Sequence, residues 1–165
     1  MSRLNQWTTL INAINEEDRL LRQYLTLVPR PDRESAGTDG SLSFKETLGH
    51  ISFWDDFTVQ FFQCKLDDAS CTLPPPVQFE ERSREALHRL GPLPFGEVLA
   101  RYLESTGALV DFLKAHWDEL TEREKHDFWV PLKHRRHHRI SLAQSLGLNV
   151  VEGPDPVLGQ MMAEA

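Results

Sequence analysis

Apolar residues in this chain return every three to four positions over four long stretches, and almost nowhere do they alternate. That period belongs to a helix with one buried face. A half-buried strand needs a period of two, and no sustained run of it with β-branched residues is present. The sequence therefore predicts an all-α protein. Over residues 3–27, Leu4, Trp7, Ile11, Ile14, Leu21 and Leu25 keep alternate steps of three and four, and only Asp18 breaks the series. Asn, Glu, Asp and Arg fill the other face, as an amphipathic helix requires. Pro29 and Pro31 stop this helix, and the stretch through Gly37 and Gly40 reads as a polar linker of about a dozen residues.

A second helix is announced by Ser43-Phe44-Lys45-Glu46, which has the form of a capping box. It is expected to run to about Cys64, with Phe44, Leu48, Ile51, Trp54, Phe57 and Phe61 at helical spacing and His50 on the flank of that stripe. The proline runs at 73–76 and 91–94 exclude helix interior there, and a short helix over 80–90 is expected between them. A third long helix is expected over 96–119, with Leu99, Tyr102, Leu109, Leu113 and Leu120 as its core stripe and Thr106 and His116 as polar members. The fourth begins near Pro131, a residue suited to a first helical turn, and stops at Gly147. A tail with a half-turn over 161–163 is expected to pack loosely or lie across an end of the bundle. The linker after the first helix is long enough to cross the end of a bundle. The expectation is a single domain over 1–165, a four-helix bundle with one long crossover connection.

A length of 165 residues suits one domain with its own core. With 18 Lys and Arg against 25 Asp and Glu, the net charge of −7 excludes a general nucleic-acid coat, which needs a basic footprint. No segment approaches the roughly 20 apolar residues of a membrane span. The first helix carries charges throughout, unlike a signal peptide, so a cytoplasmic protein is expected. Cys64 and Cys71 lack the CxxC spacing and are expected to be reduced thiols.

The chemistry-bearing residues are histidines. Seven are present, three of them within His134-Arg135-Arg136-His137-His138. His134 and His138 stand one helical turn apart, so their imidazoles share a face and can reach one ion; Ser141 and Ser145 continue that face, and His137 is turned away from it. Two ligands leave a catalytic zinc-type site one short of the three it needs beside an open position. His50 is the best-placed third, because it lies near the start of its helix as the pair does near the start of theirs. The three meet at one end if those helices run parallel. His116 is the rival third ligand, and His88 and His126 fall on surface or loop positions. The competing reading is a solvated histidine pair in a basic run, with His50 bonded to ordinary neighbours.

The run Lys133–Arg139 holds four fixed cations in seven residues and invites nucleic acid, yet it has no second basic patch to join. Arg135, Arg136 and Arg139 are expected to pair with carboxylates or face water. Nucleophile-elbow, P-loop, dinucleotide and HExxH patterns are all missing. Trp54, Phe57, Phe61 and Phe62 are expected to pack in the core, with some of these rings available to line a pocket beside His50.

The segment Phe44-Lys-Glu-Thr-Leu-Gly-His50-Ile-Ser-Phe-Trp54 resembles the second helix of the DinB-like (DNA-damage-inducible, YfiT-related) superfamily, and His134-Arg-Arg-His137-His138-Arg139 resembles its last-helix pattern H-x-x-H-H-R. The chain departs from that pattern at Ile140 and Ser141, where Gly and Gln are frequent. The resemblance implies a crossover four-helix bundle, often dimeric, with a divalent metal, commonly zinc or nickel, on His50, His134 and His138. It implies a metal-dependent enzyme that activates water or a low-molecular-weight thiol, hence a hydrolase or a thiol S-transferase acting on a small molecule. Asp55 and Asp56 stand too far round the helix from His50 to be read as a general base, though a carboxylate partner to a ligand histidine is conceivable. The alternative is a non-catalytic dimeric bundle for stress response or interaction, with a structural metal or none.

Overall fold

The computed structural model describes residues 3–35, 42–72 and 76–150, and the half-turn expected over 161–163 lies outside them. The order is α1 (Arg3–Leu27), a 3-10 turn (Arg30–Glu34), α2 (Phe44–Asp67), α3 (Pro76–Leu90), α4 (Phe95–His116), a 3-10 turn (Trp117–Glu119), α5 (Glu122–Asp127) and α6 (Trp129–Ser145). Among the described residues there is no strand, and no helix is long and apolar enough to cross a membrane.

The punctuation acts as the sequence predicts. Ser43 Oγ accepts from the Glu46 amide at 3.0 Å while Glu46 Oε1 accepts from the Ser43 amide at 3.1 Å, closing the capping box of α2. Gly147 has a φ of 67°, and the Leu148 amide returns to the Ala143 carbonyl at 2.8 Å, so α6 ends on a left-handed glycine. Helix α5 is an addition. Thr121 and Glu124 close a second capping box there.

Side-chain pairs give the helix directions. Phe62 meets Phe128, Asp55 meets Arg135 and His50 meets His134 and His138, so α2 and α6 run antiparallel. Phe44 meets Phe95, and Ser105 bonds Asp56, so α2 and α4 run parallel. Trp7 donates to the Leu113 carbonyl and Tyr102 to Asp18, so α1 and α4 are antiparallel. The four rods close a ring in the order α1, α6, α2, α4. The linker after α1 consequently joins antiparallel helices. The connection between parallel neighbours is the later one, which carries α3 across the outside of α2, and not the linker after α1 as expected.

The core has two apolar clusters, one around Leu10, Ile14, Leu113 and Phe128, the other around Leu21, Leu48, Ile51 and Val98. A polar layer separates them. Tyr102 donates to Asp18 at 2.8 Å and accepts from Arg135 at 3.1 Å. Arg135 also donates to Thr106 at 2.9 Å and to Asp55. Arg139 Nε donates to Glu17 at 2.5 Å. All these side chains are buried, and together they tie α1, α2, α4 and α6. The break in the α1 stripe at Asp18 is therefore a core position filled by a bonded carboxylate.

The reduced-thiol expectation is corrected. Cys64 and Cys71 form a disulfide. Helix α2 ends at Asp67, and a turn in which the Asp68 carbonyl accepts from the Cys71 amide brings Cys71 back onto the last helical turn. Spacing alone does not reveal that reversal.

Candidate metal centre

Three imidazoles converge on the flank of the polar layer. His134 Nε2 lies 3.1 Å from His50 Nε2 and 3.0 Å from His138 Nε2. His134 and His138 come from consecutive turns of α6, and His50 from α2. They meet although the two helices run antiparallel, and so without the shared helix starts on which the expectation leaned. Among the described residues, these three together are able to hold a metal ion. A tetrahedral zinc with N ligands at about 2.0–2.1 Å sets those nitrogens about 3.3 Å apart, so the donor set fits a small divalent ion.

The electrostatics favour neutral imidazoles. Burial pushes all three pKa values down, and the charges that the neighbouring histidines would carry push His134 and His138 further. His134 falls to about 3 and His138 to about 4. A neutral imidazole carries one N–H and one lone pair, which is the form that binds a cation.

These shifts fix a pH dependence for the metal-free protein. An unfolded histidine titrates near 6.5, so from there down toward about 4 the unfolded chain binds protons that the folded triad refuses. Stability should fall as the pH drops through that window. Asp55, pushed up to about 6 by burial against the pull of Arg135, and Asp56, also raised by burial, work in the opposite sense, with two protons against three. Urea unfolding of chelator-treated protein at pH 7, 6 and 5 checks this; a midpoint that stays level across the series would contradict it.

The surroundings are aromatic on one side. The Trp54 ring stands edge-on to His50 and His134 at 6.3 and 6.0 Å and stacks on Phe79 of α3 at 5.3 Å. Phe57 meets Phe79 at 4.6 Å. Of the rings expected in the core, Phe62 is buried there, whereas Trp54, Phe57 and Phe61 are half-buried. The stripe of α2 drifts with its three-residue steps, and the core position after Ile51 goes to Asp55.

The other candidates fall elsewhere. His116 lies against Phe112 with Nδ1 3.0 Å from Glu119, at the opposite core cluster. His88 and His126 are exposed. The His137 ring touches His138 from the exposed side. Arg135 and Arg139 point into the core onto carboxylates, which removes half of the cations of the basic run from the surface. Asp55 is committed to Arg135. The group beside His50 Nδ1 is a hydroxyl, Ser83 Oγ of α3 at 3.2 Å. Reasoning from sequence passed over Ser83, and the visible signal was a serine in the apolar face of a short helix.

Compared with known proteins, the chain matches no protein-family model, no curated protein and no solved structure.

Proposed function

We propose that this is a metal-dependent enzyme of the DinB-like kind, in which His50, His134 and His138 hold a divalent ion, zinc or nickel. The observation that carries the reading is the convergence of three Nε2 atoms from two helices, on imidazoles whose surroundings oppose protonation. The parallel pair α2 and α4, joined by a long connection, agrees with the crossover bundle that the sequence resemblance implies. An ion held there supplies Lewis acidity, lowering the pKa of a coordinated water or thiol toward neutrality. The protein's own residues keep the imidazoles neutral, wall one side with Trp54, Phe57 and Phe79, and hold α6 in place through Arg135 and Asp55.

A purely structural site favours four protein ligands. Among the described residues no fourth His, Cys, Asp or Glu joins the triad, which favours a position open to a reactant. Metal analysis of the purified protein tests the reading. Stoichiometric zinc or nickel is expected, and its removal by chelator should lower the unfolding temperature, because an ion that binds only the folded state stabilises it. A screen of small thiols with electrophiles, beside ester and amide substrates, then separates transferase from hydrolase. Protein that neither retains nor takes up a divalent ion would sink the proposal.

A further inference from the structure

Helix α3 is charged on its outer side and has one inward face. That face consists of Phe79, Ser83, Ala86, Leu87 and Leu90, the positions that are half-buried or buried. Ser83 is its one polar member. Serine is a poorer helix former than alanine or leucine, so neither packing nor propensity asks for a hydroxyl there. What it meets is His50, with Oγ 3.2 Å from Nδ1.

Two contacts fix the pose of that hydroxyl. One turn earlier, Phe79 stacks on Trp54. Two turns later, Leu90 sits over Gly49, where an added Cβ would stand 2.0 Å from Leu90 Cδ1. The bare glycine beside His50 thus allows α3 to approach α2 closely.

We propose that Ser83 is a positioning residue of the metal centre. It accepts the Nδ1–H of His50 and so holds the tautomer whose Nε2 lone pair faces His134 and His138. An imidazole that donates from Nδ1 has its acceptor at Nε2, and ligand histidines are commonly oriented by such a partner on the other nitrogen. The proposal rests on the reading of the triad as a metal site. It adds that the crossover helix, which supplies no ligand, sets the affinity.

The test titrates metal-free wild type, Ser83→Ala, Ser83→Thr and Ser83→Val with cobalt(II) alone against a competing chelator. Thr and Val have the same shape and differ in the hydroxyl. Ser83→Ala and Ser83→Val should bind cobalt about 10–100-fold more weakly, the usual effect of losing such a partner, and Ser83→Thr should stay close to wild type. Nitrogen NMR of His50 in the metal-free protein should show a protonated Nδ1 in wild type and Ser83→Thr, and mixed tautomers in the other two. A merely structural role would lower the unfolding temperature and leave both readouts unchanged. Equal cobalt affinity of Ser83→Val and Ser83→Thr overturns the role of Ser83 while leaving the metal site standing. A wild type that binds no cobalt overturns the metal site itself, and this proposal with it.

Discussion

Replacing Arg135 with Ala is expected to destabilise the protein by about 3–5 kcal/mol, the usual effect of removing one partner of a buried ion pair. Arg135 is 2% exposed and Asp55 1%. The guanidinium serves three acceptors, Asp55, Thr106 and Tyr102, on two other helices. Truncation strands the Asp55 carboxylate away from water, while Tyr102 keeps its bond to Asp18 and Thr106 its bond to the Tyr102 carbonyl. Burial already raises the Asp55 carboxyl to about 6 with Arg135 present, so without it the carboxyl is driven to take up a proton. The double variant Arg135→Met with Asp55→Leu removes both charges and should recover most of the loss, because a buried pair and a well-packed apolar pair of similar volume are often close in stability. Urea unfolding of the three proteins measures this. A single variant within about 1 kcal/mol of wild type, the range of an ordinary substitution, would show that the layer does not hold the helices together.

His134→Ala should abolish metal binding with little change in the fold. His134 Nε2 is the atom within contact of both the His50 and the His138 Nε2 atoms, so its removal leaves those two without the member that joins them. The loss should exceed the roughly 10–100-fold that follows from disturbing a partner of a ligand. The helix itself is not expected to suffer, since alanine is the best helix former and the lost imidazole is half-buried among like neighbours that disfavour its charge. Metal content and circular dichroism of the variant check both halves. A variant that keeps stoichiometric ion would remove His134 from the site.

The helices and the triad were largely legible in the sequence, because both depend on local spacing. The expected limits of 3–27 match α1, and Ser43 with Glu46 marks the start of α2. His134 and His138 share a face by geometry alone. Helix α5 was also legible, since Thr121 and Glu124 carry the same cap signal as Ser43 and Glu46, but the short helix has too few apolar residues to show a period. Facts of assembly were not legible. The direction of α6 relative to α2, and the place of the crossover, depend on which faces find each other across the whole chain. Asp18, Asp55 and Glu17 look like surface carboxylates until their partners on other helices are known. Ser83 approaches His50 across 33 positions of sequence, and the disulfide depends on a reversal after Asp67 that the thiol spacing does not encode.

In α6, His134 is followed by Arg135 and His138 by Arg139, so each turn presents an imidazole and then a guanidinium to different surroundings. One residue of rotation, about 100° in the sense of an insertion, would carry the imidazoles toward Asp55 and Glu17 and turn the guanidiniums past those carboxylates, away from both. The two arrangements are mutually exclusive, and the carboxylates of α1 and α2 accept only one of them. Insertion of a single residue ahead of His134 would thus set the helix against itself: whichever way it turned to satisfy one set of neighbours, the other set would be left facing strangers.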